Sequence, residues 1–130
     1  MNIIIASKRP FQGREAKDIV ELRDLLKEGN PEHIFFPYWS WLVPKEILEK
    51  YHCVGFHTGH IAGGSPIQNL IRQNINHTII RMFTMNESID GGEDIGTSPI
   101  CLCGSLEEII IRQTNTMKAM IDAYIQENNR

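Results

Sequence analysis

Positive charge is in short supply in this 130-residue sequence: 13 Lys and Arg stand against 16 Asp and Glu, a formal net charge of -3. With no basic block, nucleic-acid binding lacks electrostatic support, and no nucleic-acid partner is expected. Long apolar runs are missing as well. None approaches the roughly 20 residues needed to span a bilayer, so no membrane partner is expected. The opening MNIIIASKRP has too short an apolar stretch, and no small-residue cleavage site, for a secretory leader. Cysteine is scarce, at Cys53, Cys101 and Cys103. An odd number without a leader points to a reducing, cytoplasmic setting, which makes the triplets at Asn76 and Asn86 chance matches to a glycosylation signal. There is no internal repeat or low-complexity segment. There is also no GxGxxG and no GK[ST], so the nucleotide sites built on those motifs are not indicated.

What is present is ordinary globular composition, 42% apolar and 22% charged, enough for one domain with one core. NIIIAS (2–7) reads as a buried strand and KRPFQG as a loop. REAKDIVELRDLLKEGN has helical periodicity, closed by Gly29. HIFFPYW is a second strand, stopped by Pro37. VPKEILEKYH is a short helix with Pro44 near its first turn, and CVGF is a third strand. SPIQNLIRQNI reads as a helix with Ser65 as N-cap. HTIIRMFTM (77–85) is a longer strand, NESIDGGEDIGTSP is turn-rich, and ICLC is a strand pairing back. Ser105 and Glu108 form a capping box for a last long helix, whose core face carries Ile109, Ile110, Met117, Met120, Ile121 and Tyr124. The alternation predicts an α/β fold, a mostly parallel sheet flanked by helices, with an antiparallel edge hairpin.

Ligands of such sheets bind beyond the carboxyl ends of the strands. His57 follows CVGF at such an end, where an imidazole can donate to a reacting carbonyl or shuttle a proton. The same position also suits a histidine that simply caps a strand. Gly63 and Gly64 let the backbone approach a ligand, and the helix from Ser65 would aim its free amides at it; a flexible turn has the same composition. Asp90-Gly91-Gly92 is either a hairpin turn or a carboxylate brought to His57 as base or orienter. Tyr38, Trp39 and Trp41 form either a platform for a flat ligand or a lid over the core. His57 and His60 make an HxxH without a third ligand, so no metal site is assigned. Cys101 and Cys103 read as buried thiols filling a core on one strand face.

In chain order, PEHIFFPYWSWLVPKEIL, FHTGHIAGGSPIQNLI and TIIRMFTMNESIDGGEDI resemble the motifs of the folate-dependent formyltransferases. That family includes methionyl-tRNA, glycinamide ribonucleotide and sugar N-formyltransferases. The likeness covers about residues 31 to 125, with the aromatic loop most similar to small sugar-pathway members. It implies a Rossmann-like fold, with residues 1–130 as one formyltransferase-like domain, shortened in its first half. It further implies transfer of a formyl group from N10-formyltetrahydrofolate to a primary amine of a small molecule such as an amino sugar. His57 then stabilises the oxyanion, and Asp90 orients it and assists proton transfer. Tyr38, Trp39, Ser40, Trp41 and Ile89 bind the folate, and Gly63, Gly64 and Ser65 form the substrate loop. Where the family carries an asparagine two residues before the histidine, this chain has Gly55. Two further readings stay open: hydrolysis of formyltetrahydrofolate by the same pair, and a catalytically silent folate- or partner-binding module.

Overall fold

The computed structural model describes residues 2–11, 13, 15–39, 41–59, 72–87 and 92–128. Among them the strands are β1 (Ile3–Ser7), β2 (Glu15–Ala16), β3 (His33–Tyr38), β4 (His52–Thr58), β5 (His77–Thr84) and β6 (Asp94–Cys101). The helices are α1 (Ile19–Glu28), α2 (Lys45–Lys50) and α3 (Leu106–Asn128). One sheet runs in the order β2-β1-β3-β4-β5-β6. The pairs from β2 to β4 are parallel, and β4-β5 and β5-β6 are antiparallel. This is the α/β sheet with an antiparallel edge that the sequence pattern predicts.

Both faces are covered, which is why β1 and β3 are unbroken apolar runs rather than alternating ones. On one face α3 lays Ile109, Met117 and Ile121 over Ile5, Phe35, Val54, Ile80 and Ile100. On the other, Leu22 of α1 and Ile47 of α2 cover Ile4, Ala6, Ile34, Phe36 and Cys53. The capping box of α3 forms as expected: the Ser105 amide donates to Glu108 Oε1 at 3.0 Å, and the Glu108 amide donates to Ser105 Oγ at 3.1 Å. Among the described residues no helix is long and apolar enough to cross a membrane.

Several boundaries differ from expectation. The first helix does not begin at residue 14. Glu15–Ala16 add a short edge strand to β1, and the helix starts after Asp18, whose carboxylate accepts from the Glu21 amide at 2.9 Å. Gly29 occupies the C-cap in extended backbone (φ -146°), so its freedom to turn left-handed is not used. Pro37 does not stop its strand. It lies where the β1-β3 register shifts, between the Ile5–Phe35 and Ser7–Tyr38 partners, so its missing N–H breaks no ladder bond. The late hairpin takes in residues expected to be turn, because β6 begins at Asp94. The helix expected from Ser65 lies outside the described residues.

At the sheet's amino edge, His33 is buried beside His52, with ring centroids 4.5 Å apart, and its Nε2 lies 3.0 Å from the Tyr124 hydroxyl. Burial, and then the neighbouring His52, hold the His33 pKa below its usual value against a smaller opposing pull from Glu32. A depressed pKa means that the unfolded chain binds the proton more readily. The stabilisation is therefore whole above the ordinary histidine value of about 6.5 and is lost as pH falls through the lower folded value. The melting temperature is expected to fall between about pH 7 and 5 more steeply in the parent than in His33→Gln. Parallel melting curves across that range would refute this assignment.

Candidate functional site

His57 stands one residue inside the carboxyl end of β4 rather than beyond it, and it is 8% exposed. The strand continues through Thr58, and the Gly59 amide donates to the Ile79 carbonyl at 2.9 Å. Gly59 adopts φ +100°, a conformation that side chains resist. Alternation along β4 sends Val54 and Thr58 toward α3, and Cys53, Gly55 and His57 toward the opposite face. Burial pushes the Cys53 thiol up to about 12, which makes it an apolar filler rather than a nucleophile.

Across the antiparallel ladder His57 is paired with Arg81, and Gly55 with Phe83. Arg81 Nε donates to Asp94 Oδ1 at 2.8 Å, and that hydrogen bond holds the exposed Asp94 carboxyl below its usual range. The Arg81 guanidinium also lies 5.3 Å from the Phe83 ring centroid. A side chain at position 55 has no space: its Cβ would lie 2.8 Å from Phe83 Cζ and 3.0 Å from Met85 Cγ. An apolar plug therefore fills the place beside His57 where the resembling family carries an asparagine.

The aromatic residues at and after the end of β3 differ in burial and partners. Trp39 packs edge-on against Phe36 (5.3 Å) and Trp41 (5.0 Å), which joins it to the core under α1 and α2. Trp41 is 46% exposed and lies under the Lys8 ammonium, 5.7 Å from its centroid. Tyr38 commits its hydroxyl to α3, 2.7 Å from Thr114 Oγ1, and leaves its ring under Arg9. The loops after β1 and β3 are pinned together by the Lys8 amide, which donates to the Tyr38 carbonyl at 2.7 Å. These loops flank the point where the chain reverses its direction of travel across the sheet, the usual ligand crevice of such folds.

The other expected site residues, Asp90, Ile89, Ser40, Gly63, Gly64 and Ser65, lie outside the described residues, as does His60. Cys101 and Cys103 are not buried core thiols. They are joined in a disulfide, and Cys103 is exposed beyond the end of β6. A strand reading places both sulfurs on one face, but β6 stops at Cys101 and the chain turns toward α3. Reasoning from sequence also missed the partners of this edge. Phe83 reads as a core residue until pairing sets it over Gly55. Gln113 is a polar residue on the buried face of α3, and its spacing from Ile109 and Met117 is its one signal.

No family model matches the chain. The methionyl-tRNA formyltransferase of Caldicellulosiruptor saccharolyticus is 35% identical over 78 residues, covering 56% of this chain and 25% of that protein. A solved structure of methionyl-tRNA formyltransferase from Clostridium thermocellum superposes with a TM-score of 0.86 at 33% identity, over 98% of this chain and 66% of that one. HypX from Aquifex aeolicus, solved with tetrahydrofolic acid, shares the fold at TM-score 0.63 and 15% identity, over 92% of this chain and 27% of that one. The chain thus spans about a quarter of the length of the curated relative it matches. The two methionyl-tRNA formyltransferases among these relatives overturn the expectation of a small-molecule amine and no nucleic acid, because they are named for a tRNA substrate. A net charge sums the whole surface, so its sign does not exclude a local contact with nucleic acid.

Proposed function

Because the chain belongs to the formyltransferase family, we propose that it transfers a formyl group from N10-formyltetrahydrofolate to the amino group of an aminoacyl-tRNA. The observation that carries this reading is the nearly buried His57 at the carboxyl end of β4, in the position the family motif assigns to its oxyanion donor. The amine nitrogen attacks the formyl carbon, and the carbonyl oxygen becomes an oxyanion held by His57. Asp90 orients His57 and takes part in moving the amine proton. Collapse then breaks the bond to N10, which leaves protonated as tetrahydrofolate. A donor aimed at charge that exists only in the transition state accelerates the step itself, not merely binding.

In this reading Tyr38, Trp39, Ser40, Trp41 and Ile89 bind the folate, and Gly63, Gly64 and Ser65 meet the acceptor. The half-exposed Trp41 supports a flat-ligand contact there. Reduced folate is expected to quench tryptophan fluorescence saturably. Trp41→Ala should weaken binding about threefold to tenfold without unfolding the chain, the loss of roughly 0.5–1.5 kcal/mol of aromatic contact. Unfolding of the variant, together with no quenching in the parent, would assign the loop to the core instead.

The test of function is incubation of the protein with N10-formyltetrahydrofolate and methionyl-tRNA, with parallel arms holding an amino sugar or no acceptor. Formyl-methionyl-tRNA is the expected product. Tetrahydrofolate appearing without acceptor would favour hydrolysis. Donor binding with no turnover in any arm would favour a silent folate-binding module, the reading supported by the Phe83 and Met85 plug at Gly55.

A further inference from the structure

A buried polar chain underlies this edge of the sheet. Thr58 Oγ1 donates to Gln113 Oε1 at 2.7 Å, and Gln113 Nε2 donates to the Tyr38 hydroxyl at 2.8 Å. The Tyr38 proton is then directed to Thr114 Oγ1 at 2.7 Å or to the Ile110 carbonyl at 3.4 Å. Thr58 and Gln113 are each 5% exposed. Gln113 therefore uses both ends of its amide to tie the last residue of β4 to the last residue of β3, through the middle of α3. An apolar side chain would fill the same space without the cost of burying an amide. What the amide adds is a defined position for two strand ends, and His57 and the aromatic loop are mounted on those ends.

We propose that Gln113 is a positioning residue for His57, acting through Thr58, an inference that rests on the formyl-transfer reading of His57. Thr58 anchors the strand from the α3 face while its neighbour His57 projects from the other. Thr58 is the last residue of β4, and among the described residues it is the one at this strand end whose side chain bonds to α3. Loss of the anchor lets the imidazole drift from the reacting carbonyl, and misplacement on the scale of an ångström costs up to about 100-fold in rate.

The experiment compares Gln113→Leu, Thr58→Val and Gln113→Glu with the parent in kcat, in KM for the folate donor, and in NMR titration of isotope-labelled histidines. Gln113→Leu and Thr58→Val are expected to lower kcat about 10- to 100-fold with little change in KM, and to displace the His57 titration curve while the exposed His77 stays in place. Gln113→Glu keeps the acceptor for Thr58 and exchanges the donor to Tyr38 for an acceptor, which the Tyr38 hydroxyl meets by turning its proton from Thr114, and should recover most of the rate. If Gln113→Leu does not fold, Thr58→Val, which leaves the α3-Tyr38 bond intact, decides the matter. A parent without formyl transfer would end the functional reading, while the His57 titration would still test the positioning. Variants that lose thermal stability but keep the parent's kcat and His57 titration would overturn the proposal and leave Gln113 a purely structural residue.

Discussion

His57→Ala is expected to lower kcat for formyl transfer by about 10²–10³, roughly 3–4 kcal/mol of transition-state stabilisation, with donor affinity nearly unchanged. The split follows from what the imidazole is proposed to touch. The folate carbonyl of the ground state needs little from it, and the oxyanion of the tetrahedral intermediate needs a donor already in place. Asp90→Ala should fall by a similar factor, and the double variant little further, because two residues that act as one unit lose their contribution once. Steady-state kinetics with folate binding measured in parallel separates the two parameters. An active parent whose rate is indifferent to His57→Ala would refute the mechanism while leaving the family assignment intact.

Gly55→Asn, the substitution that restores the family's side chain beside the histidine, is expected to damage the protein rather than improve it. The new Cβ would enter the Phe83 ring edge at 2.8 Å, with Met85 Cγ at 3.0 Å. Phe83 cannot easily withdraw, because it is 3% exposed and the Arg81 guanidinium lies over it. Overpacking of this kind costs about 1–3 kcal/mol, which a urea unfolding curve resolves readily. Phe83→Ala alone should cost about 3–5 kcal/mol through the cavity it leaves. The double variant Gly55→Asn/Phe83→Ala should cost less than the sum, since each change relieves the other. A Gly55→Asn protein as stable as the parent and more active would mean that the plug yields and that the asparagine position remains usable.

The strand assignments at β1, β3 and β5 were legible because buried strands are short apolar runs and helices repeat at 3.6 residues; both are local periodicities. The capping box of α3 was legible for the same reason, since its partners are three residues apart. The place of His57 near the end of a strand was legible because the end of an apolar run is visible in one dimension, and the resemblance to a family motif suggested the role proposed for it. Sequence alone misjudged Pro37, Cys101 and Cys103. A proline is tolerated in an interior strand only at a register shift, and whether a sulfur is buried depends on where the strand ends. The space beside His57 was decided by tertiary structure alone. Gly55 and Phe83 are 28 positions apart, and only the antiparallel β4-β5 register sets the ring over the glycine. The same holds for Thr58, Gln113 and Tyr38, which share no local pattern. Their hydrogen bonds exist because α3 crosses the ends of two strands, and contacts made by closing long loops leave no periodic trace in the residues that make them.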